Sequence, residues 1–447
     1  MNDTNASSVQ SRRQFLTGTL EAAAAASFGV MTTRGADPQN TTAAGTPHAA
    51  TQPAARRDEK WWMHRQERID RRLARGNVDA FFIGDSITEA WEHHHGLAVG
   101  DAFYGHRQIV NLGFGGDQTQ HVLWRLDHSD FTKIQPKAAF VMIGTNNLGA
   151  GHSVPQIVDG ILTIVERLRQ KLPNARVVVH GILCRGPKPD DAGRQQALAV
   201  NQALDKLAAP RGFEMLDLAE SFLNPDGTAK AERMATDSLH LSALGYQAWA
   251  EAIEGRLADI LGDQPVRIPQ AGPADKDAAQ VITALGGIAL TDREGRVTTV
   301  DLSRNPKAVG EAWRAVASLR HLKVLACDRC PLGDDDLQHF AGLTELEYLN
   351  LRGTGHTDEG LRHLSKLRNL SWLAIAAPGV TGHGVAHLRP LSNLRLLTFW
   401  NSALTDAAYE HLREMKSLQE LFLGGSKVTR KTIGKLEQDL PDCAVMS

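Results

Sequence analysis

Four short stretches hold the residue types that ester or amide chemistry needs. The first is "DAFFIGDSITEAW", residues 79–91, in which an apolar run stops at Gly-Asp-Ser and presents Ser86. The second, "NLGFGGDQTQHVLWRL", places Gly116 and Asp117 just beyond another apolar run. The third, "VMIGTNN", ends with Asn146 and Asn147, and the fourth, "TDSLHLSALGY", holds Asp237-x-x-His240 ahead of a helical pattern. A serine hydroxyl becomes a useful nucleophile when a histidine takes its proton and a carboxylate orients that histidine. The three-residue spacing lets one short loop deliver both partners. Each motif has a simpler account when taken alone. Gly-Asp-Ser is ordinary turn chemistry, Asp-x-x-His is a helix N-cap pattern, and "GFGGD" resembles a phosphate loop without its Lys-Ser/Thr. Their occurrence together, each at the end of a predicted strand, favours a reactive centre.

These residues need a scaffold. "VDAFFIGDS", "QIVNLGFGG", "AAFVMIGTNN", "ARVVVHGIL" and "GFEMLDLA" read as buried strands. "VPQIVDGILTIVERLRQKL" and "GYQAWAEAIEGRLADIL" read as helices. Strand and helix in alternation predict a parallel sheet covered on both faces, with the site beyond the strand ends. No Gly-x-Ser-x-Gly elbow surrounds Ser86, which argues against the ordinary α/β-hydrolase fold.

The blocks "GDSIT", "NLGFGGDQTQHVLWRL", "GTNN" and "DSLH" resemble those of the SGNH, or GDSL-type, hydrolases. Within them the segment is most similar to the catalytic subunits of platelet-activating-factor acetylhydrolase. The resemblance covers about 200 residues, nearly half of the chain, and "WEHHHGLAVGDAFYG" departs from it. It implies a flavodoxin-like fold and a serine esterase acting on short-chain, acetyl-type esters without metal or cofactor. The substrate would be an O-acetylated carbohydrate or a lipid ester. Ser86 would attack, His240 would act as base and then acid, and Asp237 would hold the imidazole. The N–H groups of Ser86 and Gly116 and the side-chain amide of Asn146 would form the oxyanion hole. Asp85 and Asp117 are either supports for this machinery or plain turn formers. Trp124 and Arg125 read as packing and a surface or structural ion pair. An acyltransferase would use the same acyl-serine.

The C-terminal region repeats. L-x-x-L-x-apolar units start at Leu322, Leu346, Leu370, Leu394 and Leu418, spaced by 24 residues. This resembles leucine-rich repeats, a strand plus a helix per unit stacked into a solenoid. "VTTVDL" and "DCAVMS" read as its terminal strands. Alternation about the core leucines turns Val324, Tyr348, Trp372, Leu396 and Glu420 to the concave face, with Ala326, Asn350, Ala374, Thr398 and Phe422 in the neighbouring row. Tyr348, Trp372, Leu396 and Phe422 form an apolar stripe, expected to bind a protein or glycan partner or the chain's own first domain. A binding protein with a vestigial hydrolase domain is the competing reading.

The remaining signals bound the answer. Lys+Arg 49 against Asp+Glu 51 gives no basis for nucleic-acid binding. Four cysteines are too few for a disulfide framework, and Cys327-x-x-Cys330 has no second ligand pair for zinc. The consecutive histidines of "EHHHG" do not share a face, and His339, His363, His387 and His411 recur with the repeat, so neither set predicts a metal site. Ser11-Arg12-Arg13-Gln14-Phe15-Leu16 resembles a twin-arginine export signal, followed by an apolar stretch too short to span a bilayer stably. The expected organisation is signal and disordered spacer over 1–56, hydrolase over 57–262, linker over 263–277 and repeats over 278–447. The expected location is periplasmic or extracellular.

Overall fold

The computed structural model describes residues 48–447, apart from Thr236 and the side chain of His94. The export-signal motif lies outside the described residues. Contacts divide the chain into two units. Of the described residues, the first holds 48–55, Arg72–Glu89 and Ile109–Ala252. The second holds Arg56–Arg71, Ala90–Gln108 and Ile253–Ser447, so three segments of the expected hydrolase region, 57–71, 90–108 and 253–262, group with the repeats.

The first unit is built on five parallel strands: β1 (Ala80–Gly84), β2 (Ile109–Gly113), β3 (Ala138–Met142), β4 (Arg176–His180) and β5 (Glu214–Leu216). Their order is β2-β1-β3-β4-β5, the doubly wound flavodoxin-like arrangement. β1 and β3 are buried at every position, which is why they read as unbroken apolar runs rather than alternating ones. Helix Val154–Lys171 buries Ile157, Ile161, Ile164, Val165 and Leu168, spaced for one face. It opens with Gln156 Oε1 accepting the Ser153 N–H at 2.9 Å.

The chain order reverses between β1 and β3, and here the packing is tightest. The short helix α1 (Ser86–Glu89) leaves β1 at once and is buried throughout. A Cβ on Gly113 would collide with the backbone N of Glu89 and C of Thr88, and one on Gly84 with Thr88 Oγ1 and the Met142 carbonyl. Only glycine lets α1 settle on the strand ends.

The disordered spacer expected up to residue 56 does not extend that far. Ala49–Thr51 forms a 3-10 turn, and its backbone finds partners. The Ala50 carbonyl accepts from Thr119 Oγ1 at 2.8 Å, and the Ala54 N–H donates to the Gln120 carbonyl at 3.0 Å.

In the second unit, β6 (Ile288–Thr291) and β7 (Val297–Asp301) form an antiparallel pair. Six parallel strands then stack in chain order: β8 (Val324–Ala326), β9 (Tyr348–Asn350), β10 (Trp372–Ala374), β11 (Leu396–Thr398), β12 (Glu420–Phe422) and β13 (Ala444–Met446). Leu325, Leu349, Leu373, Leu397 and Leu421 form the core of this solenoid. The hairpin partner β6 was not expected, and the helices expected between strands are mostly 3-10 turns such as Gly360–Leu364 and His383–Leu388. A 24-residue repeat leaves little chain for the return path, and these short turns suffice to present Leu361, Leu364, Val385 and Leu388 to the core.

The predicted rows hold, since Tyr348 pairs with Trp372 and Trp372 with Leu396. The open partner surface does not. Tyr348 is 1% and Trp372 7% exposed, and their rings stack with centroids 4.2 Å apart. Ala98 packs with them, and Leu97 and Leu396 lie at the edge of the cluster. Both former residues belong to helix Leu97–Tyr104, from which Asp101 pairs with Lys323. Large aromatic surface is costly to leave in water, and this helix removes it. Leu396 and Phe422 remain half-buried. The Cys327 and Cys330 thiols donate to the Asn350 and Leu302 carbonyls at 3.3 and 2.8 Å. Burial pushes the Cys330 thiol up to about 12, and both cysteines pack within the core.

The α1 packing predicts that Gly113→Ala, which must displace backbone rather than a side chain, lowers stability by about 2–3 kcal/mol. Urea unfolding of the full chain, followed by circular dichroism, measures it.

Candidate active site

Ser86 is the first residue of α1, so its own N–H has no partner within the helix. Asp85, one position earlier, turns back and accepts the Ile87 N–H on Oδ1 at 3.1 Å, fixing the turn that presents Ser86. On the other side of α1, Tyr246 donates its hydroxyl to the Ile87 carbonyl at 2.8 Å. The nucleophile turn is therefore held from two directions.

Ser86 Oγ lies 2.8 Å from His240 Nε2, across 154 residues of chain. His240 Nδ1 lies 2.6 Å from Asp237 Oδ2. The other Asp237 oxygen accepts the backbone N–H groups of Leu239 and His240 at 3.0 and 2.9 Å. The loop can fold back on itself because Ser238 takes a left-handed conformation, φ +54°. The Ala235 N–H closes the loop onto the His240 carbonyl at 2.7 Å.

These contacts set the charges. Burial alone would raise the Asp237 carboxyl, but hydrogen bonding and attraction to His240 overcome it and hold it down at about 2. Burial works against a charged His240, yet the Asp237 hydrogen bond and the charges of Asp237 and Asp85 leave its affinity for a proton above the ordinary 6.5. Asp85 is the opposite case, pushed up to about 7 chiefly by burial.

The oxyanion candidates sit on the neighbouring strand ends. Gly116 has φ +72° and is partly exposed between buried Gly115 and Asp117. Asn146 donates one amide hydrogen to the Asp117 carbonyl at 3.0 Å, leaving the other available. Asp117 pairs with Arg125 at 2.9 Å, both side chains being buried. The Arg125 guanidinium lies over the Phe114 ring, 4.1 Å from its centroid. Loop 114–117 is thereby fastened to helix Thr119–His128, and the expected structural ion pair of Arg125 has Asp117 as its partner.

Three contributors escaped the sequence. Arg185 donates to the Thr145 carbonyl at 2.8 Å and to its hydroxyl at 3.0 Å, steadying the turn that carries Asn146. Tyr246 braces Ile87 as described. Glu89, buried at the end of α1, accepts the Gly115 N–H at 2.6 Å. Only Glu89 left a signal, an acidic residue within a stretch otherwise packed away. Among the described residues, no group of three or more His, Cys, Asp or Glu side chains is placed to hold a metal ion.

A serine hydroxyl on a histidine–carboxylate chain, with N–H donors beside it at the head of a parallel sheet, is the equipment of a carboxylic ester hydrolase. Residues 82–248 match the GDSL-like Lipase/Acylhydrolase family. Human platelet-activating factor acetylhydrolase IB subunit alpha1 is 36% identical over 216 residues, covering 48% of this chain and 90% of that protein. The alpha2 subunit from Rattus norvegicus is 31% identical over 224 residues, covering 50% and 93%. The solved structure of a GDSL-like lipase from Bacteroides thetaiotaomicron, 14% identical, covers 44% of this chain and 98% of its own with a TM-score of 0.38. The chain belongs to the GDSL-like lipase/acylhydrolase family through this region, and it is a carboxylic ester hydrolase.

Asp85 carries a testable cost. Its proton is held more tightly in the folded state, so folding loses stability as pH rises from about 4 through 7. Asp85→Asn keeps the oxygen that caps Ile87 and has no charge to bury. It is expected to match the parent near pH 4 and to exceed it at pH 8 by about 4 kcal/mol. Urea titrations at the two pH values check this.

Proposed function

We propose that the chain is a serine esterase that removes short acyl groups, acetyl foremost, from an O-acetylated carbohydrate or a lipid ester through an acyl-serine intermediate. The hydrogen-bonded chain Ser86–His240–Asp237 carries the reading. Ser86 Oγ attacks the ester carbonyl while His240 Nε2 takes its proton. Asp237, acceptor-only and anchored by backbone N–H groups, keeps the Nδ1 proton in place and stabilises the imidazolium. The N–H groups of Ser86 and Gly116 and the free hydrogen of Asn146 receive the oxyanion. Collapse expels the alcohol, protonated by His240. Water then enters with His240 again as base, and acetate leaves. Asp85 and Asp117 support this from behind, the one by fixing the Ser86 turn and the other by fastening the Gly116 loop.

The acetyl preference is supported by the name of the 36% identical relative, an acetylhydrolase matched over 90% of its length. The C-terminal unit is proposed to be a leucine-rich-repeat solenoid, on its 24-residue period and parallel rows. Export on a twin-arginine-type signal is proposed from Arg12 and Arg13. No helix among the described residues is long and apolar enough to cross a membrane. The competing picture of a binding protein with a vestigial hydrolase loses its main surface, because Tyr348 and Trp372 are covered.

Release of nitrophenol from acetyl, butyryl and octanoyl esters tests the proposal. The full chain is expected to favour acetyl, and Ser86→Ala to abolish turnover. Turnover that survives in Ser86→Ala contradicts the mechanism. The pH profile adds a second test. Since His240 must be neutral to act as base, kcat/KM is expected to rise with pH through a midpoint above 6.5. Asp237→Asn removes the charge that holds the proton on His240. Its midpoint is expected to fall, with kcat lowered by about 10³–10⁴-fold.

A further inference from the structure

We propose that Glu89 is a positioning residue for the oxyanion donors, its carboxylate holding the Phe114–Gly115 peptide and so restraining the next one, whose Gly116 N–H faces the reacting carbonyl. This rests on the reading of Ser86 and Gly116 given above. Glu89 lies three residues after Ser86 on α1, hence on an adjoining part of the same helical face. It is 7% exposed. Its Oε2 accepts the Gly115 N–H at 2.6 Å, shorter than an ordinary amide hydrogen bond of about 2.9 Å.

The backbone of Glu89 is fixed as well. Its N–H donates to the Asp85 carbonyl at 2.8 Å, and its carbonyl accepts from Asn111 Nδ2 at 3.2 Å. Asn111 Oδ1 in turn accepts the Gly113 N–H at 2.7 Å. The carboxylate is thus presented from a rigid base that also carries the nucleophile. The loop it grips is held at Phe114 and Asp117 by Arg125, while the Gly115–Gly116 stretch between them has no side chain of its own to hold it. Such a run samples many conformations, and holding one of them requires an external restraint. Fixing the Gly115 N–H fixes the plane of the Phe114–Gly115 peptide, and only the two backbone torsions of Gly115 lie between that plane and the Gly116 N–H.

A carboxylate in this place is otherwise an expense, because burying one costs far more than burying an apolar side chain of similar size. Serving as an acceptor strong enough to dictate the geometry of a glycine loop gives it a purpose. One side chain then sets the distance between nucleophile and oxyanion donors, since it belongs to the helix of the first and grips the loop of the second.

The test uses the full chain with Glu89→Ala, which removes the acceptor, and Glu89→Gln, which keeps an oxygen in place. Three quantities are measured with p-nitrophenyl acetate as substrate: kcat and KM, inhibition by a trifluoromethyl ketone that forms a tetrahedral adduct, and inhibition by the unreactive anilide of the same shape. Glu89→Ala is expected to lose about 10²-fold in kcat, with KM unchanged within about three-fold. Ketone affinity is expected to fall in parallel while anilide affinity holds. Glu89→Gln is expected to recover most of both losses. Amide hydrogen exchange at Gly115 and Gly116 is expected to quicken in Glu89→Ala and not elsewhere in the sheet. Unchanged exchange at Gly116, or parallel loss of ketone and anilide binding, overturns the proposal. If the parent shows no turnover, the reading of Ser86 fails, and the exchange measurement alone then decides what Glu89 does.

Discussion

The close seating of helix α1 on the ends of β1 and β2 is the constraint on which the site depends. Gly84 and Gly113 have no room for a Cβ, so the helix starts within one residue of the strand and Ser86 emerges at its head. The same closeness brings the end of α1 against the Gly115–Gly116 loop. Ser86 and the proposed oxyanion donors are thus referred to one short element rather than to separate loops. The order β2-β1-β3-β4 opens a crevice at this point, since the connections that leave β1 and β3 run to opposite sides.

Charge is distributed around this element with a consistent logic. Asp237 is ionised and heavily hydrogen-bonded, so it raises the basicity of His240 without competing for the proton. Asp85, with less hydrogen bonding and full burial, has its carboxyl pushed up to about 7, so it ionises far less readily than Asp237. Asp117 is matched by Arg125, and its carbonyl accepts from Asn146. Asp85 and Asp237 thus lie on opposite sides of the ordinary carboxylate range, each set by its neighbours.

The parts of this arrangement that the sequence reveals are the local ones. The strands of the first sheet are legible because burial on both faces demands unbroken apolar runs such as "AFFIG" and "AAFVM". Asp237 and His240 are legible because the loop that joins them spans three residues. Glu89 is hidden because its partner lies 26 residues away on a different strand end. Alternation correctly turned Tyr348 and Trp372 to one face, but periodicity says nothing about what lies against that face. The covering residues, Leu97 and Ala98, are small or plain and carry no signal of contact. The return segments of the repeat show helical spacing, yet a 24-residue period compresses many of them into 3-10 turns.

The central claim is that Ser86 is the activated nucleophile of the chain. Labelling with a fluorophosphonate, followed by peptide mass spectrometry, tests it most directly, because the reagent reports activation without any assumption about the natural ester. The account predicts one adduct, on Ser86, formed rapidly in the parent and much more slowly when His240 is replaced by alanine. An unmodified Ser86 in folded protein, or an adduct on another serine that forms at the same rate without His240, would contradict it.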